Sequence, residues 1–306
     1  MSFTVVFANV LKMLCYAVPG FLLVRARKMS TEHIPSFANL LLYFCSPLQM
    51  VYALFKIEMS GYILKHLILA LALGILLMGG MIGVTFLAFR KKQEIVAWRI
   101  VVAAAAMGNC GFMGIPLIET LLPNYPQGVA FCSTFCMAMN LLMWTVISTI
   151  YTHDRKYIKL SNALLNPATV ASYIAIALLA LRVQIPAEVE DFVSLSGRMA
   201  TVVSMLVLGM RMAVLPIRPM LTQPIQYLAS ALKLIVFPLI VLGVCSLLPL
   251  EREFVLTIYI MCCMPAGTLV QTFAEILHEG QETAADVVLL STLLSLITVP
   301  VMMMLV

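Results

Sequence analysis

Charge is what this sequence has least of. Of its 306 residues only 11% are Asp, Glu, Lys or Arg, against about 25% in an ordinary soluble domain. Hydrophobic residues make up 62%, and mean hydropathy is +1.04. No water-soluble domain fits such a chain, because polar residues occur only as short punctuation between apolar runs of membrane-spanning length. Long loops are also missing. The longest connection between runs, Thr152 to Leu165, is about fourteen residues and leaves no room for a signalling module. Deep histidine is absent, since His33, His66, His153 and His278 all fall near run ends or between runs. With no Ser/His pair at membrane depth and no aspartate partner for Asp286, an intramembrane enzyme is not expected.

Ten apolar runs remain, at about 3–24, 33–55, 61–88, 95–122, 127–151, 166–182, 191–215, 225–248, 253–277 and 283–304. Membrane β-strands would alternate over roughly ten residues, whereas these are continuous runs of about twenty. The expected fold class is therefore an all-α membrane protein, in which each helix satisfies its own backbone. The first run has no basic residue before Lys12 and no small-x-small site, and it ends in RARKMS, so it reads as a retained helix.

Cysteine adds little. Cys15, Cys45, Cys110, Cys132, Cys136, Cys245, Cys262 and Cys263 all fall within the runs, where no disulfide framework is expected. Cys132 and Cys136 share a helix face, but no histidine joins them and no metal site is expected. The 22 methionines read as packing filler in a mobile bundle.

Arginine and lysine set the orientation. The connections after runs 1, 3, 5 and 7 carry Arg25, Arg27, Lys28, Arg90, Lys91, Lys92, Arg155, Lys156, Lys159, Arg211 and Arg218. Those after runs 2, 4, 6 and 8 have only Lys56, Lys65, Arg182, Arg198 and Arg252 in or near them. Eleven against five places the denser side in the cytoplasm and both termini outside a cell membrane. The net charge of +5 is thus mostly a topology signal, and its basic residues are too dispersed for a nucleic-acid patch.

The basic connection 153–165 divides the chain into 1–152 and 166–306, five runs on each side. Because five is odd, a duplicated unit would insert the second time upside down, which gives an inverted repeat. The fourth run contains AAAAMGNCGFMGIPLIETLLP and the ninth IMCCMPAGTLVQTFAEIL; both interrupt a helix in mid-run. A shift of 156 residues brings Asn109 onto Pro265 and Glu119 onto Glu275. Gly108, Gly111, Gly114 and Pro116 lower the cost of leaving helical geometry, and a proline leaves the carbonyl one turn earlier without its donor. Exposed backbone costs several kcal/mol per group in lipid, so such breaks persist where they line a protein cavity. Two half-helix N-termini meeting at mid-membrane would present partial positive charge to an anion. Asn109 adds a donor and an acceptor there, and Thr268 a hydroxyl. A proline kink that merely shapes packing is the plain alternative.

GNCGFMGIPL, MPAGTLVQTFAEIL and the closing VVLLSTLLSLITVPVMM resemble the auxin efflux carrier family, in its prokaryotic branch. So do NLLLYFCSPLQMVYAL, LLNPATVASYIAI, SMLVLGMRMAV and LKLIVFPLI, so the resemblance spans essentially the whole chain. It implies ten helices in two inverted five-helix repeats, shared with the bile-acid sodium symporter group. It also implies that the broken fourth and ninth helices cross at the substrate site, and that the protein forms a homodimer. Plant members export indole-3-acetate, and prokaryotic members are linked to malonate, malate and other carboxylates. This chain lacks the long central loop of the long plant carriers. It also lacks their paired Asn-Pro, since Asn109 is followed by Cys110 and Pro265 has no asparagine beside it.

By this resemblance the crossing residues are Asn109, Gly111, Gly114 and Pro116, with Pro265, Ala266, Gly267 and Thr268. The residues themselves add Gly108, then Ser46, Pro47 and Asn39 around the proline of the second run, and the isolated polar Asn140 and Gln271. An interhelical hydrogen bond, worth about 0.6 kcal/mol, is the alternative for each of these polar side chains. Lys12 and Lys233 lie within runs, where either could compensate an anionic substrate or carry a proton. The long stem of Lys233 also lets it snorkel to the surface. Glu119 and Glu275, near opposite membrane faces, are candidate ion relays or plain interfacial charges. The expected function is a secondary carrier of a small organic anion, without cofactor, with a proton or sodium ion as candidate coupling ion. A membrane sensor using the same pocket is the alternative.

Overall fold

The structure, a computed structural model, describes residues 2–55, 57–152, 161, 164–214 and 217–306. Most of the basic 153–165 connection, including Arg155, Lys156 and Lys159, lies outside the described residues. Twelve helical segments of nine or more residues follow one another among the described residues: α1 (Phe3–Arg25), α2 (Ile34–Phe55), α3 (Gly61–Ala88), α4 (Val96–Ala106), α5 (Cys110–Leu121), α6 (Gln127–Thr152), α7 (Pro167–Ala180), α8 (Ala187–Val214), α9 (Pro224–Ser246), α10 (Arg252–Cys263), α11 (Thr268–Ile276) and α12 (Gln281–Met303). Seven of them, α1, α2, α3, α6, α8, α9 and α12, are long and apolar enough to cross a membrane. No strand is found among the described residues beyond one isolated backbone bridge. The protein is a multi-pass, all-helical membrane protein.

Local chemistry explains several departures from regular helix. Of four wide turns with i→i+5 hydrogen bonding among the described residues, three, Leu41–Cys45, Cys110–Gly114 and Leu232–Val236, end two residues before a proline, namely Pro47, Pro116 and Pro238, and the fourth, Met143–Ile147, does not. Proline removes the N–H that would reach back one turn and clashes with that carbonyl, and a widened turn relieves both problems without ending the helix. Pro116 therefore does not make the break in the fourth run, contrary to the sequence expectation. The chain leaves helical geometry earlier, at Met107, whose ψ is 110°, and resumes at Cys110. In the ninth run the helix stops at Cys263 and restarts at Thr268, with Met264 and Gly267 extended.

Helix α8 lies against α1 and α2, and α2 also packs on α7. Small residues make these approaches: a Cβ on Gly209 would lie 1.8 Å from the carbonyl oxygen of Ala17, and one on Gly20 would lie 2.1 Å from that of Leu206. Glycine lets helix backbones touch where there is no hydrophobic force between helices in lipid. The broken segments belong to a second group, in which α3 packs on α4 and α6, α9 on α4 and α12, and α11 on α12. The site lies between these two groups.

Candidate functional site

The two breaks pair with each other. The Asn109 N–H donates to the Pro265 carbonyl at 2.7 Å, and the Gly267 N–H donates to the Met107 carbonyl at 3.0 Å. Together they form one antiparallel bridge, Gly108 to Ala266. The Ala266 N–H finds the Ser291 hydroxyl at 3.2 Å, and the Asn109 carbonyl accepts from Met113 and Gly114. Backbone groups that lost their helical partners thus satisfy one another away from water, as burial in an apolar setting requires.

Against this bridge lies a cavity of about 80 Å³. Gly108, Asn109 and Gly111 line it from one break, Gly267 and Thr268 from the other, and Ser46 and Asn140 from the sides. The N-termini of α5 and α11 therefore border the same space. Their backbone N–H groups and dipoles favour negative charge. Asn109 is 4% exposed. Arg211 is the one charged side chain among the described residues lining the cavity. The Ser204 hydroxyl also lines it and is buried without a hydrogen-bond partner. Asn166 lines it too, and its side chain caps α7 by accepting from the Ala168 N–H at 3.0 Å.

Behind the bridge sits Lys233. It is 0% exposed, its ammonium donates to the Cys262 carbonyl at 3.1 Å, and it lies 4.5 Å from the centre of the Phe237 ring. The sequence expectation that this lysine snorkels to the surface is therefore corrected. Lys233 falls on the buried face of α9 with Ala229, Ser230 and Phe237, three or four residues apart, and that spacing turns its stem into the protein. The ammonium meets the C-terminal end of α10, where the dipole is negative. It packs against Gly108, which lines the cavity: a Cβ there would lie 3.1 Å from Lys233 Nζ.

The other expected residues are divided among three places. Pro265 and Ala266 are in the bridge itself, while Gly114 packs on Met261 and Pro47 is half-buried beside the widened turn of α2. Asn39, Gln271 and Glu275 line a larger neighbouring space of about 570 Å³, which shares Ala38, Leu42, Arg211 and Thr272 with the first cavity. There Arg211 donates two bonds to the Glu275 carboxylate, and Gln271 Nε2 donates to Glu275 Oε1 at 3.3 Å. Gln271 and Thr268 are consequently not gathered around one point.

Lys12, Pro116 and Glu119 line a separate space of about 320 Å³ on the opposite face of the bridge. Glu119 accepts a hydrogen bond from the Tyr52 hydroxyl and lies 4.0 Å from Arg198, which itself donates to that hydroxyl at 2.6 Å. Gln49 forms part of the wall between the two spaces. Its amide donates to the Gly111 carbonyl at 3.1 Å, and its own oxygen is buried without a partner. Arg211, Ser204 and Gln49 are additions that the sequence pattern did not single out.

Compared with known families, the chain matches the model of a family described as membrane transport protein, over residues 5–163 and again over 156–303. No curated protein matches it.

Proposed function

Because the chain belongs to the auxin efflux carrier family of membrane transport proteins, we propose that it is a secondary transporter of a small organic anion, a mono- or dicarboxylate, bound at the paired breaks. The observation that carries this reading is the cavity on which two half-helix N-termini converge with one arginine. Both N-termini stabilise an anion through their unpaired backbone N–H groups and helix dipoles, beside the arginine. Lys233, which packs against Gly108, places a buried amine close to the cavity wall.

In this reading each broken pair of segments is one pass and α7 a short one, giving ten passes in two inverted five-helix repeats. The side carrying Arg25, Arg27 and Lys28 is cytoplasmic, and both termini are outside. The cavity is then open inward, through the space at Arg211 and Glu275, and the Gln49 wall closes it outward. Alternating access exchanges the two openings as the group holding the broken helices moves against α1, α2, α7 and α8.

An inside-negative membrane potential favours anion export by about 2.3 kcal/mol per charge per 100 mV, whereas import needs a coupled proton or sodium ion. Purified protein in liposomes tests the reading directly. Counterflow of radiolabelled malonate, malate or indole-3-acetate is expected for at least one anion, and its rate should change with an imposed potential. Protein that moves none of a broad carboxylate panel would exclude the proposal.

A further inference from the structure

Two ion pairs lie on opposite sides of the bridge, and each joins an arginine of α8 to a glutamate of a broken segment. Arg198 faces Glu119 with Tyr52, and Arg211 faces Glu275 with Gln271. Both arginines come from α8, thirteen residues apart and so about 20 Å along its axis. Each glutamate comes from a broken segment and stands ten residues beyond the bridge, Glu119 after Asn109 and Glu275 after Pro265. Each pair therefore joins the two packing groups across the cleft in which the cavity lies.

The pair at the open mouth has a further property. Arg211 lines the cavity with Asn109 and Thr268, and among the described residues there it alone is charged. Its side chain is 13% exposed, while that of Glu275 is 40% exposed. The arginine is thus already largely desolvated, and it lines a space that two half-helix N-termini make favourable to anions. A carboxylate of the chain itself occupies its two-pronged donor face. Arginine recognises any carboxylate by the same bidentate geometry.

We infer that Arg211 is a substrate-recognition residue and that Glu275 is its resident stand-in, displaced by a carboxylate of the incoming anion. This rests on the organic-anion reading of the cavity. Substrate entering from the open side takes the guanidinium, and Glu275, the more exposed partner, turns to water. Loss of the Arg211 to Glu275 link frees α11 from α8 at the moment the cavity fills. The closed mouth carries the matching Arg198 to Glu119 link, which must part when the cavity opens to that side.

The two residues then have opposite effects on binding. Affinity for malonate, malate and indole-3-acetate is measured by isothermal titration on detergent-purified protein, for wild type, Glu275→Gln, Arg211→Gln and the double variant. Glu275→Gln removes the competitor and is expected to tighten binding by threefold or more. Arg211→Gln is expected to weaken it at least tenfold. The double variant, neutral at the mouth, should fold and still bind weakly, which separates lost recognition from an unpaired glutamate. Wild-type binding that Glu275→Gln leaves unchanged or weakens would overturn the inference, whether or not the arginine variants fold. Wild-type protein that binds no anion would instead overturn the reading beneath it.

Discussion

A Cβ added to Gly267 would lie 2.6 Å from the carbonyl oxygen of Gly108, across the bridge between the two breaks. Neither backbone can yield there, because Gly108 and Ala266 form the bridge and the flanking N–H groups are bonded across it. Gly267→Ala should therefore abolish transport and destabilise the protein by about 1–3 kcal/mol, the usual cost of overpacking. Gly111 lines the same cavity, but a Cβ there meets nothing nearer than 3.9 Å. Gly111→Ala should keep its thermal stability in detergent, and equal losses in the two variants would contradict the packing argument.

Lys233→Met tests the buried ammonium. The substitution keeps the volume, removes the cost of burying a charge and gives up one bond to the Cys262 carbonyl. These changes offset one another, so the melting temperature should move by only a few degrees while transport falls at least tenfold. A variant that melts normally and transports normally would make Lys233 a packing residue.

Thiol labelling reads the cavity lining. Cys110 and Cys136 line it, whereas Cys132, one turn from Cys136, is fully buried and does not. In single-cysteine variants a small water-soluble alkylating reagent should modify Cys136 slowly, leave Cys132 untouched, and be slowed further by substrate. Modification of Cys132 at the same rate would place the cavity elsewhere.

Orientation has its own check. A reporter active only outside the cytoplasmic membrane, fused at either terminus, should be active, and the same reporter inserted beside Lys91 should be silent. The reverse pattern would turn the inward opening at Arg211 into an outward one.

Much of the site is legible in the sequence because the signal is local. Glycine, asparagine and proline in a run that is otherwise aliphatic mark departures from helix, and Gly108, Asn109, Gly267 and Thr268 do line the cavity at the paired breaks. Pro116 was a less direct guide, since its effect is absorbed by a widened turn rather than by the break. The partners that complete the cavity carry no such mark. Arg211 resembles a loop-side topology residue, and nothing in its neighbourhood announces Glu275, 64 residues away. Ser204 and Gln49 are single polar residues whose direction is set by how α8 and α2 pack. Lys233 points inward because it shares the buried face of α9 with Ser230 and Phe237, and a count of residues from the helix end does not reveal which face is buried.

The central claim is that an anion binds at the bridge between the two breaks. Thermal-shift measurement of purified protein against mono- and dicarboxylates and indole-3-acetate, with and without sodium, and repeated on Asn109→Ala, tests it most directly. At a hundred times its dissociation constant a ligand adds about 2.7 kcal/mol of stability, enough to raise the melting temperature visibly. At least one carboxylate should stabilise the wild-type protein, and the shift should vanish in a folded Asn109→Ala variant. A carboxylate shift that survives intact in Asn109→Ala, or no shift from any anion, would contradict the account.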